Sequence, residues 1–249
     1  MVAHQPITPS PTPSASPVPI NHPPPYTIAI EAGHGGLYYW GASSRDTDGN
    51  LWIEKDLALA VALRVDELLT EAGYNSVLIR SQDVTLTYWD AASYRPSLIR
   101  ETQERVRVAN ESSADVLLSI HFNGWGDASQ HGTEGYCNPD RSFGTESCQL
   151  TSLVQQALVA AIRGSGYDIT DRGIKNDGLV NGDPQNQHSF ILGTNSNFSP
   201  SLMPGTIAEV LFLSNPDDLA FMRRADAIDV IARAFVEGLN QYFAWLNNH

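Results

Sequence analysis

The sequence predicts an α/β fold: a mostly parallel, twisted sheet with helices on both faces, in a single domain. Two observations carry this expectation. Short apolar runs alternate along the chain with segments of helical apolar periodicity, at the spacing of strand–helix–strand units. The part of the chain able to pack, residues 26–249, has the size of one domain with a substantial core.

The elements follow in order. Residues 1–25 hold nine of the fifteen prolines, many Ser and Thr, and no charged residue apart from two His. They read as an extended, partly polyproline linker that cannot form a core. Ile28-Ala29-Ile30 is a first apolar strand, running into the glycine-rich turn Gly33-His34-Gly35-Gly36. After a loop over 37–51, Leu57, Val61, Val65, Leu68 and Leu69 mark one stripe of a helix that opens near Glu54 and stops at Gly73. Residues 76–80 form a short strand and 81–96 a long polar and aromatic loop. A second helix covers 97–111. The second clear strand, 115–122, ends in His121-Phe122-Asn123, and a loop through Trp125, His131 and Gly132-Thr133-Glu134-Gly135-Tyr136 follows. A third helix spans 147–163, marked at its end by Gly164 and Gly166. Residues 171–183 read as irregular, 189–192 as a short strand and 193–204 as a loop. The third apolar strand, 206–213, carries Glu209 at its middle. Asn215-Pro216-Asp217-Asp218 signals a helix start, and a closing helix covers 227–245.

With 28 acidic and 15 basic residues the net charge is −13, which excludes broad attraction to nucleic acid or anionic membrane. No apolar run reaches membrane-spanning length, and the N-terminus lacks the pattern of a secretory signal. Gly33-His34-Gly35-Gly36 has no Lys-Ser/Thr continuation, so it is no phosphate loop. Cys137 and Cys148 are either a disulfide closing a short loop or two free thiols, according to compartment. Neither lies beside a His at zinc-finger spacing.

In a parallel sheet, ligands gather beyond the carboxyl ends of the strands, where His34 and His121 fall. A hydrolytic zinc site needs three protein ligands, drawn from imidazole and carboxylate where thiolates are scarce. His34, Glu54 and His121 supply that set. Taken alone, Glu54 reads first as a helix-capping acid, although the positive helix end also favours the ionised form that a ligand needs. Glu209 is harder to explain blandly, because strand alternation puts Ile207, Leu211 and Leu213 on its face. A carboxylate so placed is costly unless paired, and burial raises its pKa toward that of a general base. It is the candidate catalytic residue, taking a proton from attacking water and returning it to the leaving nitrogen; a structural ion pair is the alternative. Asn123 is a candidate for positioning substrate or water. His131, His188, Trp40, Trp89 and Trp125 are weaker candidates for ligand or stacking roles.

These motifs together resemble the zinc-dependent N-acetylmuramoyl-L-alanine amidases of the type 3 family. The matching pieces are Glu31-Ala32-Gly33-His34-Gly35-Gly36, Glu54-Lys55-Asp56, Ser119-Ile120-His121-Phe122-Asn123, Gly132-Thr133-Glu134, Asp171-Arg172-Gly173-Ile174-Lys175 and Glu209 with Phe212-Leu213-Ser214-Asn215-Pro216. The resemblance implies zinc on His34, Glu54 and His121, with Glu209 catalytic. It also implies hydrolysis of the amide joining N-acetylmuramic acid to L-alanine in peptidoglycan, by a monomer acting outside the cell, in the cell wall or periplasm. A zinc peptidase and a non-catalytic wall-binding module are the alternatives. Ala32 stands where the family has Pro, and Phe122 where it has a small residue. Residues 188–204 look long for the family. The single helix between Glu134 and Asp171 implies an open site without the blocking helix of some relatives.

Overall fold

The computed structural model describes residues 25–179, 189, 191–193 and 199–248. Its eight strands are β1 (Thr27–Ala32), β2 (Ser43–Arg45), β3 (Leu51–Ile53), β4 (Asn75–Leu78), β5 (Val116–Asn123), β6 (Thr133–Cys137), β7 (Asp171–Asn176) and β8 (Gly205–Phe212). The helices are α1 (Glu54–Glu71), α2 (Tyr94–Glu111), α3 (Gly144–Gly164), α4 (Pro216–Met222) and α5 (Ala227–Leu246). Six strands form one sheet in the order β4-β1-β5-β8-β6-β7, in which only the β6–β8 pair is antiparallel. β2 and β3 make a separate hairpin inside the expected loop, just ahead of α1.

Alternation along the central strands sorts their side chains onto two faces. Ile28, Ile30, Val116, Leu118, Ile120, Ala208 and Val210 pack against α1, α3 and α5 in the larger core. Ala29, Leu117, Ile207 and Tyr136 pack with Val106 and Ala109 of α2 in a smaller core on the other face. The helices therefore cover both faces, unequally. The thinly covered face is the one that carries Glu31, Ser119, His121 and Glu209.

Several local expectations are corrected. α2 begins at Tyr94 rather than near residue 97, because Pro96 falls in the first turn, where its missing N–H has no helical partner to lose. Residues 133–137 form a buried central strand, although Thr-Glu-Gly-Tyr-Cys shows no apolar alternation. Residues 171–176, read as irregular, form the edge strand, and the charges that hid this strand suit an edge. Ile191 and Leu192 lie in a turn instead of a strand. Leu211 and Leu213 do not share the face of Glu209. The register His121↔Glu209 becomes Asn123↔Phe212, so β8 holds one extra residue there, and this bulge swings Leu211 and Leu213 into the larger core.

Asn215 caps α4 as its sequence predicts, accepting hydrogen bonds from the N–H groups of Asp217 and Asp218, with Pro216 behind it. Cys137 and Cys148 are joined in a disulfide that ties the end of β6 to α3. Phe122 is buried in the larger core and also contributes to the lining of the cleft. α3 is the one helix between β6 and β7, and it packs on the face opposite the site. No described helix is long and apolar enough to cross a membrane. The predicted linker up to residue 24, and His188, lie outside the described residues.

Candidate metal centre

Three segments meet at the carboxyl ends of β1 and β5. His34 sits in the turn after β1 at φ +60°, a left-handed conformation that a non-glycine residue adopts only where its surroundings compel it. Gly33 precedes it because nothing larger fits: a Cβ there would lie 2.4 Å from Cε1 of His121. His121 comes from the last turn of strand pairing in β5, and Glu54 from the first residue of α1.

The donors converge. Oε1 of Glu54 lies 3.0 Å from Nε2 of His34 and 2.9 Å from Nδ1 of His121, and one donor atom from each residue falls within 4.8 Å of the others. Glu54 is not a helix cap. Its Oε2 accepts from the N–H of Ala42 at 2.7 Å and its Oε1 from that of Phe122 at 3.1 Å, so both oxygens point away from the helix they head. Gly41, at φ +72°, leaves the space that Glu54 and His34 occupy. Two imidazoles and a carboxylate are a hydrolytic zinc donor set, and the three fit such an ion.

The far side of His121 is held by a residue that motif reading left without a role. Oε2 of Glu31 lies 3.3 Å from Nε2 of His121 and accepts from Oγ of Ser119 at 2.6 Å, while Oε1 meets Nη1 of Arg105. A carboxylate behind a ligand imidazole selects its tautomer and fixes its ring. Arg105 also bonds Glu101 at 2.9 Å, the carbonyl of Ala32 at 2.8 Å and that of His34 at 2.6 Å, so one guanidinium braces the whole turn. Arg80 adds bonds to the carbonyls of Ala32, Gly33 and Lys55. The signal was available: Glu31, like Glu209, is a carboxylate within an apolar strand.

Charge follows this geometry. Burial pushes the Glu31 and Glu54 carboxyls up, but Arg105 acting on Glu31, and His34 and His121 acting on Glu54, outweigh it and hold both well below the usual carboxylate range. Burial lowers His121, but Glu31 and Glu54 hold its imidazole well above its ordinary value. A metal ion held by this imidazole would have to displace a proton.

Glu209 lies beside this corner, register partner of His121 on β8 and of Glu134 on β6. Its Oε2 is buried with no hydrogen-bond partner among the described residues, so no ion pair with an Arg explains it. Burial raises its pKa to about 8, with Glu54 and Glu134 adding to the rise against the pull of His121. Glu134 is handled oppositely: Lys175 and Arg172 each reach Oε2 at 2.5 Å, while Tyr136 and Asn123 donate to Oε1 at 2.7 and 2.9 Å. Asn123 lines the cleft with its amide already bonded to Glu134 and to the N–H of Gly124.

The remaining candidates divide. Trp40 lines the cleft, Trp89 is buried beneath Tyr39, and Trp125 is exposed on the surface. The carbonyl of His131 accepts from Arg172, and its ring is not among the groups lining the cleft. The cleft measures about 600 Å³.

Fold and site define a class: an α/β protein with a three-donor group able to hold a metal ion beyond its strand ends. The chain belongs to the N-acetylmuramoyl-L-alanine amidase family, whose pattern it matches over residues 28–241. It is 32% identical to the uncharacterized protein YqiI of Bacillus subtilis, over 87% of this chain and 84% of that one. It is 28% identical to the N-acetylmuramoyl-L-alanine amidase LytC of the same organism, over 87% of this chain and 35% of that protein. The crystal structure of an N-acetylmuramoyl-L-alanine amidase from Clostridium difficile 630 superposes with a TM-score of 0.64 at 26% identity, covering 88% of this chain and 97% of that one.

Proposed function

We propose that this protein is a zinc-dependent cell-wall amidase that hydrolyses the amide between N-acetylmuramic acid and L-alanine of the peptidoglycan stem peptide. His34, Glu54 and His121 hold the ion, and Glu209 is the general acid–base. The observation that carries this reading is the convergence of those three donors beside a buried carboxylate, Glu209, whose Oε2 has no hydrogen-bond partner among the described residues. Family membership supports the substrate.

When bound, zinc supplies a Lewis acid that polarises the scissile carbonyl and acidifies water. The chain's own residues do the rest. Glu31 holds His121 through Nε2, leaving Nδ1 directed at Glu54 and the cleft. Glu209, ionised, removes a proton from the attacking water and delivers it to the departing nitrogen of L-alanine. Its Oε2, buried and without a hydrogen-bond partner among the described residues, is available to take that proton and to give it up again. Asn123, fixed by Glu134, keeps one N–H of its amide with which to orient substrate. The disulfide persists in oxidising compartments, in keeping with action outside the cell.

The test digests purified peptidoglycan with zinc-loaded protein and identifies the new ends. Free L-alanine amino groups with intact glycan strands are expected. New termini only within the stem peptide would make the protein a peptidase and sink the proposal.

A further inference from the structure

One wall of the cleft is aromatic. Tyr38, Tyr39, Trp40 and Tyr94 line it next to His34, and Tyr38, Trp40 and Tyr94 are 56%, 41% and 54% exposed. Rings left this open beside a charged centre do not serve the core; they face whatever the cleft admits.

Hydrogen bonds and ring contacts tie the wall to the turn and to α1. The N–H of Gly35 donates to the carbonyl of Tyr39 at 2.8 Å, and Nε1 of Trp40 to the carbonyl of Leu37 at 2.8 Å. The N–H groups of Glu54 and Lys55 donate to the carbonyls of Ala42 and Trp40, clamping the turn onto the start of α1. Tyr39 stacks on Trp89 with ring centroids 4.6 Å apart, and Trp89 meets Tyr94 edge-on at 5.4 Å. An aromatic array thus runs outward from His34, whose ring is 4.4 Å from Tyr39.

We infer that the turn Tyr38–Trp40, with Tyr94, is a saccharide subsite that stacks a pyranose ring of the glycan strand on the sugar side of the scissile amide. This rests on the amidase reading of the same cleft. A pyranose offers a flat C–H face and a hydroxyl rim, the complement of indole and phenol faces edged by phenolic oxygens. An anionic peptide is matched poorly here. Among the described residues the one Arg or Lys lining the cleft is Arg105, which is buried and engaged by Glu31 and Glu101. Arg172 and Lys175 stand on β7, beyond β8 and on the other side of Asn123.

Binding of a fluorescently labelled N-acetylglucosaminyl–N-acetylmuramic acid disaccharide, followed by anisotropy, tests the subsite without turnover. Trp40→Ala and Tyr38→Ala are expected to weaken binding about three- to tenfold each while keeping the wild-type melting temperature, and Trp40→Phe to restore most of it. In turnover, Trp40→Ala is expected to raise KM for glycan-bearing substrate and leave KM for a sugar-free D-lactyl-L-alanyl peptide unchanged. Unchanged disaccharide binding in both alanine variants, or an equal KM rise on the sugar-free peptide, overturns the subsite. Normal binding with no cleavage of any substrate by wild type overturns the amidase reading and leaves the subsite standing.

Discussion

Gly41→Ala tests whether the metal centre depends on a gap in the backbone. The new Cβ would stand 2.2 Å from Oε2 of Glu54 and 2.6 Å from Cδ2 of His34. Restoring ordinary contact at about 3.4 Å requires Oε2 to retreat by about 1.2 Å, which displaces the carboxylate whose Oε1 meets both imidazoles. The left-handed backbone at φ +72° adds about 1–2 kcal/mol of strain for any L side chain. Gly49→Ala separates the two effects. It sits in the turn of the neighbouring hairpin at φ +84° with no atom within 4 Å of its Cβ, so it carries strain without a clash. Both variants are expected to melt about 2–8 °C lower. Only Gly41→Ala is expected to lose zinc affinity, by about 10- to 100-fold, and turnover by about 100-fold, as a misplacement near 1 Å commands. Competition with a chromogenic chelator measures the affinity. If Gly41→Ala holds zinc as tightly as Gly49→Ala, then Glu54 is not a ligand in the position described.

Other outcomes follow from the same geometry. Glu209→Gln is expected to keep its zinc and lose about 100- to 10,000-fold in kcat; a loss below threefold removes Glu209 from the chemistry. His121→Ala is expected to lower zinc content itself, so full occupancy by metal analysis would refute the ligand set. Glu209 ionises near 4.5 when unfolded and about 8 when folded. The zinc-free fold therefore has the full benefit of a protonated Glu209 below about pH 4.5 and loses it as pH rises through 8. Melting curves of zinc-free wild type and Glu209→Gln should accordingly diverge in favour of the variant from about pH 5 to 9, and a constant gap would contradict the burial described. Replacing Cys137 and Cys148 together by Ser removes a loop constraint worth about 3 kcal/mol, for an expected fall of about 6–12 °C in melting temperature; an unchanged melt would show that the bridge adds no stability.

Much of this molecule was legible in its residues. The three apolar strands, the helical stripe of α1 and the cap Asn215-Pro216 are local signals, set by periodicity and backbone chemistry that neighbours in the chain are enough to reveal. His34 and His121 are legible as imidazoles at two corresponding strand ends, Glu54 as the acid at a helix start that completes a three-donor set, and Glu209 as a carboxylate inside an apolar run, costly unless used. What stayed hidden depends on pairing across distance. β6 is a strand because β7 and β8 flank it, and no pattern in Thr-Glu-Gly-Tyr-Cys says so. The bulge in β8 exists only against β5, and it moves Leu211 and Leu213 away from the face that alternation assigned to them. That Glu54 binds outward instead of capping α1, that Arg105 from a helix 71 residues beyond His34 braces the carbonyl of that residue, and that Glu31 stands behind His121 are all contacts between separated segments. Residue type and position along the chain mark out His34, Glu54, His121 and Glu209 as groups able to carry the chemistry. Their aim was decided by tertiary structure, because the direction of a side chain is set by the strands and helices packed around it.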